Sequence, residues 1–243
     1  MEQSEQIDIV LTTFGREWQT ELCLRALRRN TITPFRLIII DNGSVNQSQK
    51  QYLDNADIYV KLDSNHGLEY AKNLGMQFVE SPMFISTDND ILPYYYENPD
   101  WIKRLIDLMN MYPDYGAIAL RPQVLVGTGN IFDKVVGDIT PFGHVPGYCR
   151  IMRTDLTKEC GAWNDKRPLR GHEEYWIGEK MAEKGYKMGF STNLRCYHLF
   201  GKEETDQWGY SKGMKPQEHG HNEVAGIPGN DWEEIKKGVG IDI

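Results

Sequence analysis

Through its first ninety residues the chain alternates short β-branched runs with amphipathic helical segments, a pattern that few folds accept. Ile7 to Thr12 reads as a buried strand, and Thr13-Phe14-Gly15 breaks it. Residues 17–29 place Trp18, Leu22 and Ala26 on one helical face. A second strand, Phe35 to Ile40, runs into Asp41-Asn42-Gly43-Ser44, a loop able to start a helix over 46–55. Ile58 to Leu62 is a third strand, residues 67–79 a helix, and Met83 to Thr87 a fourth strand ending at Asp88-Asn89-Asp90. Strands alternating with helices imply βαβ units and an α/β fold with a mostly parallel sheet. Ligands of such sheets sit beyond the carboxyl ends of the strands. Thr12, Asp41 and Asp88 all lie at such ends, so they are expected to meet at one edge.

The rest of the chain is less regular. A helix is expected over 100–111, a strand within Gly116 to Val126, and a strand from Tyr148 to Arg153. A helix over 172–185 and two short strands at 187–191 and 194–199 follow. Residues 127–147 read as loop with short elements, Gly201 to Asn230 as a polar, Gly-rich loop, and 231–237 as a terminal helix. No repeat or low-complexity linker divides the chain, so one domain over 1–243 is expected, with one half over 1–97, a second over 98–200, and a loop and tail over 201–243.

Composition removes several function classes. The formal net charge of −8 argues against a broad nucleic-acid surface. No apolar run approaches the roughly 18 residues of a membrane span. The polar start, MEQSEQ, has no signal-peptide pattern, and the four cysteines lack CxxC spacing, so a cytoplasmic location is expected.

Three clusters can carry chemistry. Asp88 and Asp90 flank Asn89 at a strand end, where two carboxylates can hold one hard divalent cation such as Mg²⁺. The same residues would also make an ordinary turn. Asp41 can accept hydrogen bonds from a nucleobase or ribose, or cap a helix. Glu173 and Glu174 open a helix, where acidic residues suit the dipole and where a carboxylate can also act as general base. His198 ends the last strand as a structural or metal-ligating imidazole. His219 and His221 are a weaker metal pair. Trp163, Trp176 and Trp208 are aromatic candidates for sugar stacking or core packing.

Taken in order, these segments resemble the family 2 glycosyltransferases of the GT-A fold. The resemblance covers residues 7–200. It runs through IDIVLTTFGR, LIIIDNGS, Asn65 to Gly75 (NHGLEYAKNLG), Asp88-Asn89-Asp90, Gly171-His172-Glu173-Glu174, and Gly185-Tyr186-Lys187 with His198. It implies a metal-dependent, inverting transfer of a sugar from a nucleotide-sugar to a hydroxyl acceptor, expected to be a glycan. A UDP-sugar is the favoured donor, and Mn²⁺ or Mg²⁺ the cofactor. Thr12, Asp41, Asn65, Lys72 and Asp88 would contact the donor, and Asp90, Asp88 and His198 the metal. Lys72 stands where many members have Arg. Glu174 stands where the family has its basic Asp, so either Glu174 or Glu173 is the base. The segment 201–230 would order over the donor. The rival classes are a non-catalytic binding module of the same fold and a nucleotidyltransferase.

Overall fold

The computed structural model describes residues 6–45, 52–122, 137–164, 173–199 and 232–241. The expected helix over 46–55 and loop 201–230, with His219, His221 and Trp208, lie wholly or largely outside these residues.

The opening alternation is built as the pattern requires. Strand β1 (Ile7–Thr13) is buried along its whole length, which explains its unbroken β-branched run. It pairs in parallel with β2 (Phe35–Asp41) on one side and β4 (Met83–Asp88) on the other, and β3 (Ile58–Lys61) extends the sheet beyond β2. Helices α1 (Glu17–Asn30) and α2 (Leu68–Met76) form two of the connections. Register then fixes the site: Thr12 lies beside Asp88, and Thr13 beside Asp41.

Asp8 locks the opposite end of these strands. Its carboxylate accepts from Arg36 Nε at 2.7 Å, the Glu80 and Ser81 amides at 2.7 and 2.9 Å, and Ser81 Oγ at 3.0 Å. Burial alone would raise the Asp8 pKa, but Arg36 and these donors outweigh it and hold the carboxyl below its usual range.

The second half departs from parallel pairing. Strands β5 (Ile91–Pro93), β6 (Tyr115–Pro122), β7 (Ile139–Pro141), β8 (Cys149–Arg153) and β9 (Lys187–His198) complete a nine-stranded sheet. The order is β3-β2-β1-β4-β8-β6-β9-β5, with β7 also on β9. Pairings β4–β8, β6–β8, β5–β9 and β7–β9 are antiparallel, while β6–β9 is parallel. Strand β5 follows β4 after only Asn89 and Asp90, yet pairs at the far edge of the sheet. The β8-β6-β9-β5 half therefore curls back toward the carboxyl end of β4. That curl delivers His198, which pairs with Ile91, to the neighbourhood of Asp90.

Helices α3 (Trp101–Met111), α4 (Thr154–Glu159), α5 (Glu173–Glu183) and α6 (Trp232–Gly238) complete the described elements. Asp100 caps α3 by accepting from the Lys103 amide at 2.9 Å, and also holds the Ile32–Thr33 turn. One sequence expectation changes here. The segments 187–191 and 194–199 are one strand, because Ser191 Oγ accepts from the Leu194 amide at 3.1 Å and satisfies the irregular stretch without ending the strand. In the region read as loop with short elements, one such element is β7, whose three residues are too few to show a period.

Gly75 lets α2 lie directly on β1. A Cβ there would come within 2.3 Å of Val10 Cγ1. Gly75→Ala should therefore lose about 1–3 kcal/mol by overpacking, despite the ~1 kcal/mol that Ala gains in a helix. In urea denaturation, Val10→Ala with Gly75→Ala should lose less than the sum of the two single changes.

Candidate active site

The carboxyl ends of β1, β2 and β4 and the end of β9 surround one set of polar side chains. Asp90 is almost wholly buried. One oxygen, Oδ2, accepts from the Arg16 guanidinium and lies 3.5 Å from His198 Nε2. Oδ1 is buried and has no hydrogen-bond partner among the described residues. Burial pushes the Asp90 carboxyl up, but His198 and Arg16 more than reverse this and hold it down at about 2. The Leu199 amide donates to Asp90 O at 2.8 Å, which fixes the end of β9 against this residue.

Asp88 behaves in the opposite way. Its Oδ1 has no hydrogen bond among the described residues and only a 3.5 Å ion pair with Lys72. Burial raises its pKa, Lys72 offsets part of that, and Asp90 and Glu173 add repulsion. Thr12 Oγ1, in register beside Asp88, is likewise buried without a partner among the described residues. Buried oxygens left unpaired at a strand end are what a site for an absent ligand looks like. The two carboxylates are hard oxygen donors that fit Mn²⁺ or Mg²⁺, and the imidazole is a borderline donor that suits Mn²⁺ better than Mg²⁺. Among the described residues no three His, Cys, Asp or Glu side chains are grouped closely enough to form a ready cage.

Asn89, the middle residue of that motif, faces the other way. Its Nδ2 donates to Thr13 Oγ1 at 3.0 Å, Thr20 Oγ1 at 2.8 Å and Gly15 O at 3.3 Å. It thereby ties the motif to the turn after β1. Asp41 is wholly buried, accepting from the Ser44 amide at 2.8 Å and Tyr59 Oη at 3.1 Å. Asn65 Oδ1 accepts from Asn42 Nδ2 and the Gly67 amide, both at 2.9 Å, so the loops after β2 and β3 are latched together. Thr12, Asp41 and Asp88 thus stand along one edge of the sheet, as the sequence pattern predicts, and Asn65 lies in the loop latched to it.

Lys72 and Glu173 form the buried heart of the site. Lys72 Nζ lies 2.9 Å from Glu173 Oε1 and 3.3 Å from Gly147 O. Glu173 Oε2 accepts from Arg150 Nη2 at 2.8 Å. Trp163 underlies both cations, with Lys72 Nζ 5.9 Å and Arg150 Cζ 5.7 Å from its ring. A Cβ on Gly147 would stand 1.5 Å from Glu173 Oε1, so only glycine fits there. Burial would raise the Glu173 pKa, but Arg150 and Lys72 win and hold it at about 2. Glu174, the next residue, is half-buried and takes no part in these contacts.

Sequence reasoning gave no role to Arg16, Arg150 or Asn89. Arg150 had a signal: a charge inside the apolar run from Tyr148 to Arg153 needs a buried partner. Trp163 is core beneath the cations, and Trp176 is half-buried with Lys180 Nζ 5.1 Å from its ring. Gly171 and His172 lie outside the described residues.

Because Glu173 is held below its ordinary value of 4.5, its charge stabilises the fold fully above that pH. The contribution fades as the pH falls from 4.5 toward about 2. Glu173→Gln should lose about 3–5 kcal/mol at neutral pH, since two buried cations lose their partner. Its melting temperature should also change less than wild type across that acid window.

The chain is 29% identical over 97 residues to a teichoic acid poly(glycerol phosphate) polymerase of Staphylococcus epidermidis, covering 37% of this chain. It spans only 14% of that relative's length. The structure of GalNAc-T7 with UDP, GalNAc and Mn²⁺ is similar, with a TM-score of 0.68 at 14% identity, over 82% of this chain and 44% of that one. So is the mannosyltransferase PcManGT of Pyrobaculum calidifontis in complex with GDP-Man and Mn²⁺, with a TM-score of 0.67 at 13% identity, over 94% of this chain and 67% of that one. These likenesses show the fold, the GT-A arrangement of a central sheet flanked by helices. Residues 8–160 match the model of the glycosyl transferase family 2, and the chain belongs to that family.

Proposed function

We propose that this protein transfers a sugar from a nucleotide-sugar to a hydroxyl acceptor in one in-line displacement, with inversion at the anomeric carbon. The observation that carries the reading is that Asp90, 3.5 Å from His198, and Asp88 each keep, at the carboxyl edge of the sheet, one buried oxygen with no hydrogen-bond partner among the described residues. Asp90, Asp88 and His198 would hold a Mn²⁺ or Mg²⁺ ion. When bound, that ion supplies positive charge against the negative charge that develops on the leaving diphosphate. The Mn²⁺ named with GalNAc-T7 and PcManGT supports a divalent cation in this fold. Those two structures hold UDP and GDP-Man, so both nucleotides are tested, with a UDP-sugar favoured.

The chain's own residues do the rest. Thr12 Oγ1, Asp41 and Asn65 orient the nucleoside along the strand ends. Lys72, paired with Glu173, lies 3.5 Å from Asp88. Glu174, outside that ion cluster, accepts the proton of the acceptor hydroxyl as its oxygen attacks. Glu173 is committed to Lys72 and Arg150 and serves as a positioning residue, which supports Glu174 as the base. The acceptor is read as a glycan hydroxyl. The one continuous sheet supports a single catalytic unit, and four buried free thiols support a reducing, cytoplasmic compartment.

Incubation with UDP- and GDP-sugars, Mn²⁺ and a glycan acceptor panel tests this. Release of nucleoside diphosphate with an inverted anomeric proton signal in NMR is the expected result. Pyrophosphate release would mark a nucleotidyltransferase, and binding without turnover a non-catalytic module. Glu174→Gln should lower kcat roughly 10²–10⁴-fold while leaving nucleotide affinity unchanged.

A further inference from the structure

Arg16 is held against Asp90 by its surroundings. It follows Gly15 in the turn after β1 and occupies the left-handed region, at φ 60° and ψ 56°. A non-glycine residue keeps that conformation only where the fold enforces it. Here Ser44 Oγ accepts from the Gly15 amide at 2.9 Å, and Asn89 Nδ2 donates to Gly15 O at 3.3 Å. Arg16 O accepts from the Thr20 amide at 3.0 Å and Thr20 Oγ1 at 2.9 Å. The backbone is pinned on both sides while the side chain keeps 24% of its surface exposed. With the backbone fixed, a change in what the guanidinium contacts would have to come from the side chain alone.

The guanidinium donates to Asp90 Oδ2, the oxygen shared with His198. The neighbouring Oδ1 is buried with no hydrogen-bond partner among the described residues. A plain structural ion pair would explain the first contact but not the unpaired oxygen beside it. A divalent cation on Asp90 would sit within a few ångströms of a guanidinium, where like charges repel strongly. A nucleoside diphosphate reverses this, because its phosphate oxygens suit the guanidinium fork better than a shared carboxylate does.

We propose that Arg16 couples the binding of the divalent cation to that of the diphosphate. Without a donor, it neutralises Asp90 and opposes the cation. With the donor, it turns to the phosphate and frees Asp90. This rests on the metal-dependent reading above and adds the order of events: cation and nucleotide bind together, and neither binds tightly alone. The coupling is reciprocal by linkage.

The test measures Mn²⁺ affinity of the full chain from the free-ion paramagnetic resonance signal, with and without saturating UDP or GDP. Wild type should bind Mn²⁺ at least about tenfold more tightly when the nucleotide is present, within the usual range of coupling factors. Arg16→Gln should bind Mn²⁺ alone more tightly than wild type, with the enhancement reduced to about threefold or less. Arg16→Lys, which keeps the charge without the fork, should fall between the two. An Arg16→Gln protein that gains no Mn²⁺ affinity, or that keeps the full enhancement, would overturn the proposal while leaving the transferase reading intact. A wild type that binds neither Mn²⁺ nor either nucleotide would overturn both.

Discussion

A buried ammonium survives in a fold only if its charge is answered, and Lys72 is wholly buried. Glu173 answers it, and Arg150 shares that carboxylate from the other side. Three distant parts of the chain thereby meet: α2 brings Lys72, β8 brings Arg150, and the first residue of α5 brings Glu173. Gly147 yields the space that the cluster needs. The start of α5 is fixed as a consequence, and with it the position of Glu174. Asp88 lies on the rim of the same cluster, so the carboxyl edge of the sheet and the helix bearing Glu174 share one electrostatic centre.

The sheet supplies the second constraint. Parallel register aligns the ends of β1, β2 and β4, which places Thr12, Asp41 and Asp88 together without any long loop. The two-residue step from β4 to β5 forces the rest of the sheet to curl back, so that the last strand ends beside Asp90. Asn89, between the two aspartates, is used up in holding the turn after β1. The motif is thus one structural residue between two that each keep one buried oxygen without a hydrogen-bond partner among the described residues, and their environments drive the two carboxyls in opposite directions. Such divergence between neighbours is common where charge must be handled.

Legibility followed the range of the interactions. Strands β1 to β4 could be read because each is a run long enough to show its period, and each is followed by a recognisable break. Strands β5 and β7, three residues each, carry no period and exist only because β9 offers partners. Strand β9 reads as two because its kink is satisfied by one side chain, Ser191, rather than by a turn. At the site, the carboxylates were visible as a local motif. The pairings of the cations were not, since Lys72 and Glu173 are 101 positions apart and Arg16 and Asp90 are 74 apart. Pairings at that distance are made by the fold and leave only weak traces in composition, such as an arginine in an apolar strand.

The central claim is that Asp88, Asp90 and His198 form one cation site at the donor edge. Crystals grown with Mn²⁺ and UDP, measured at the manganese absorption edge, test it most directly. The account predicts one anomalous peak within coordination distance of an Asp90 oxygen, with diphosphate oxygens completing the shell. A peak elsewhere on the surface, or a bound nucleotide with Asp90 still on Arg16 and no anomalous peak, would contradict it.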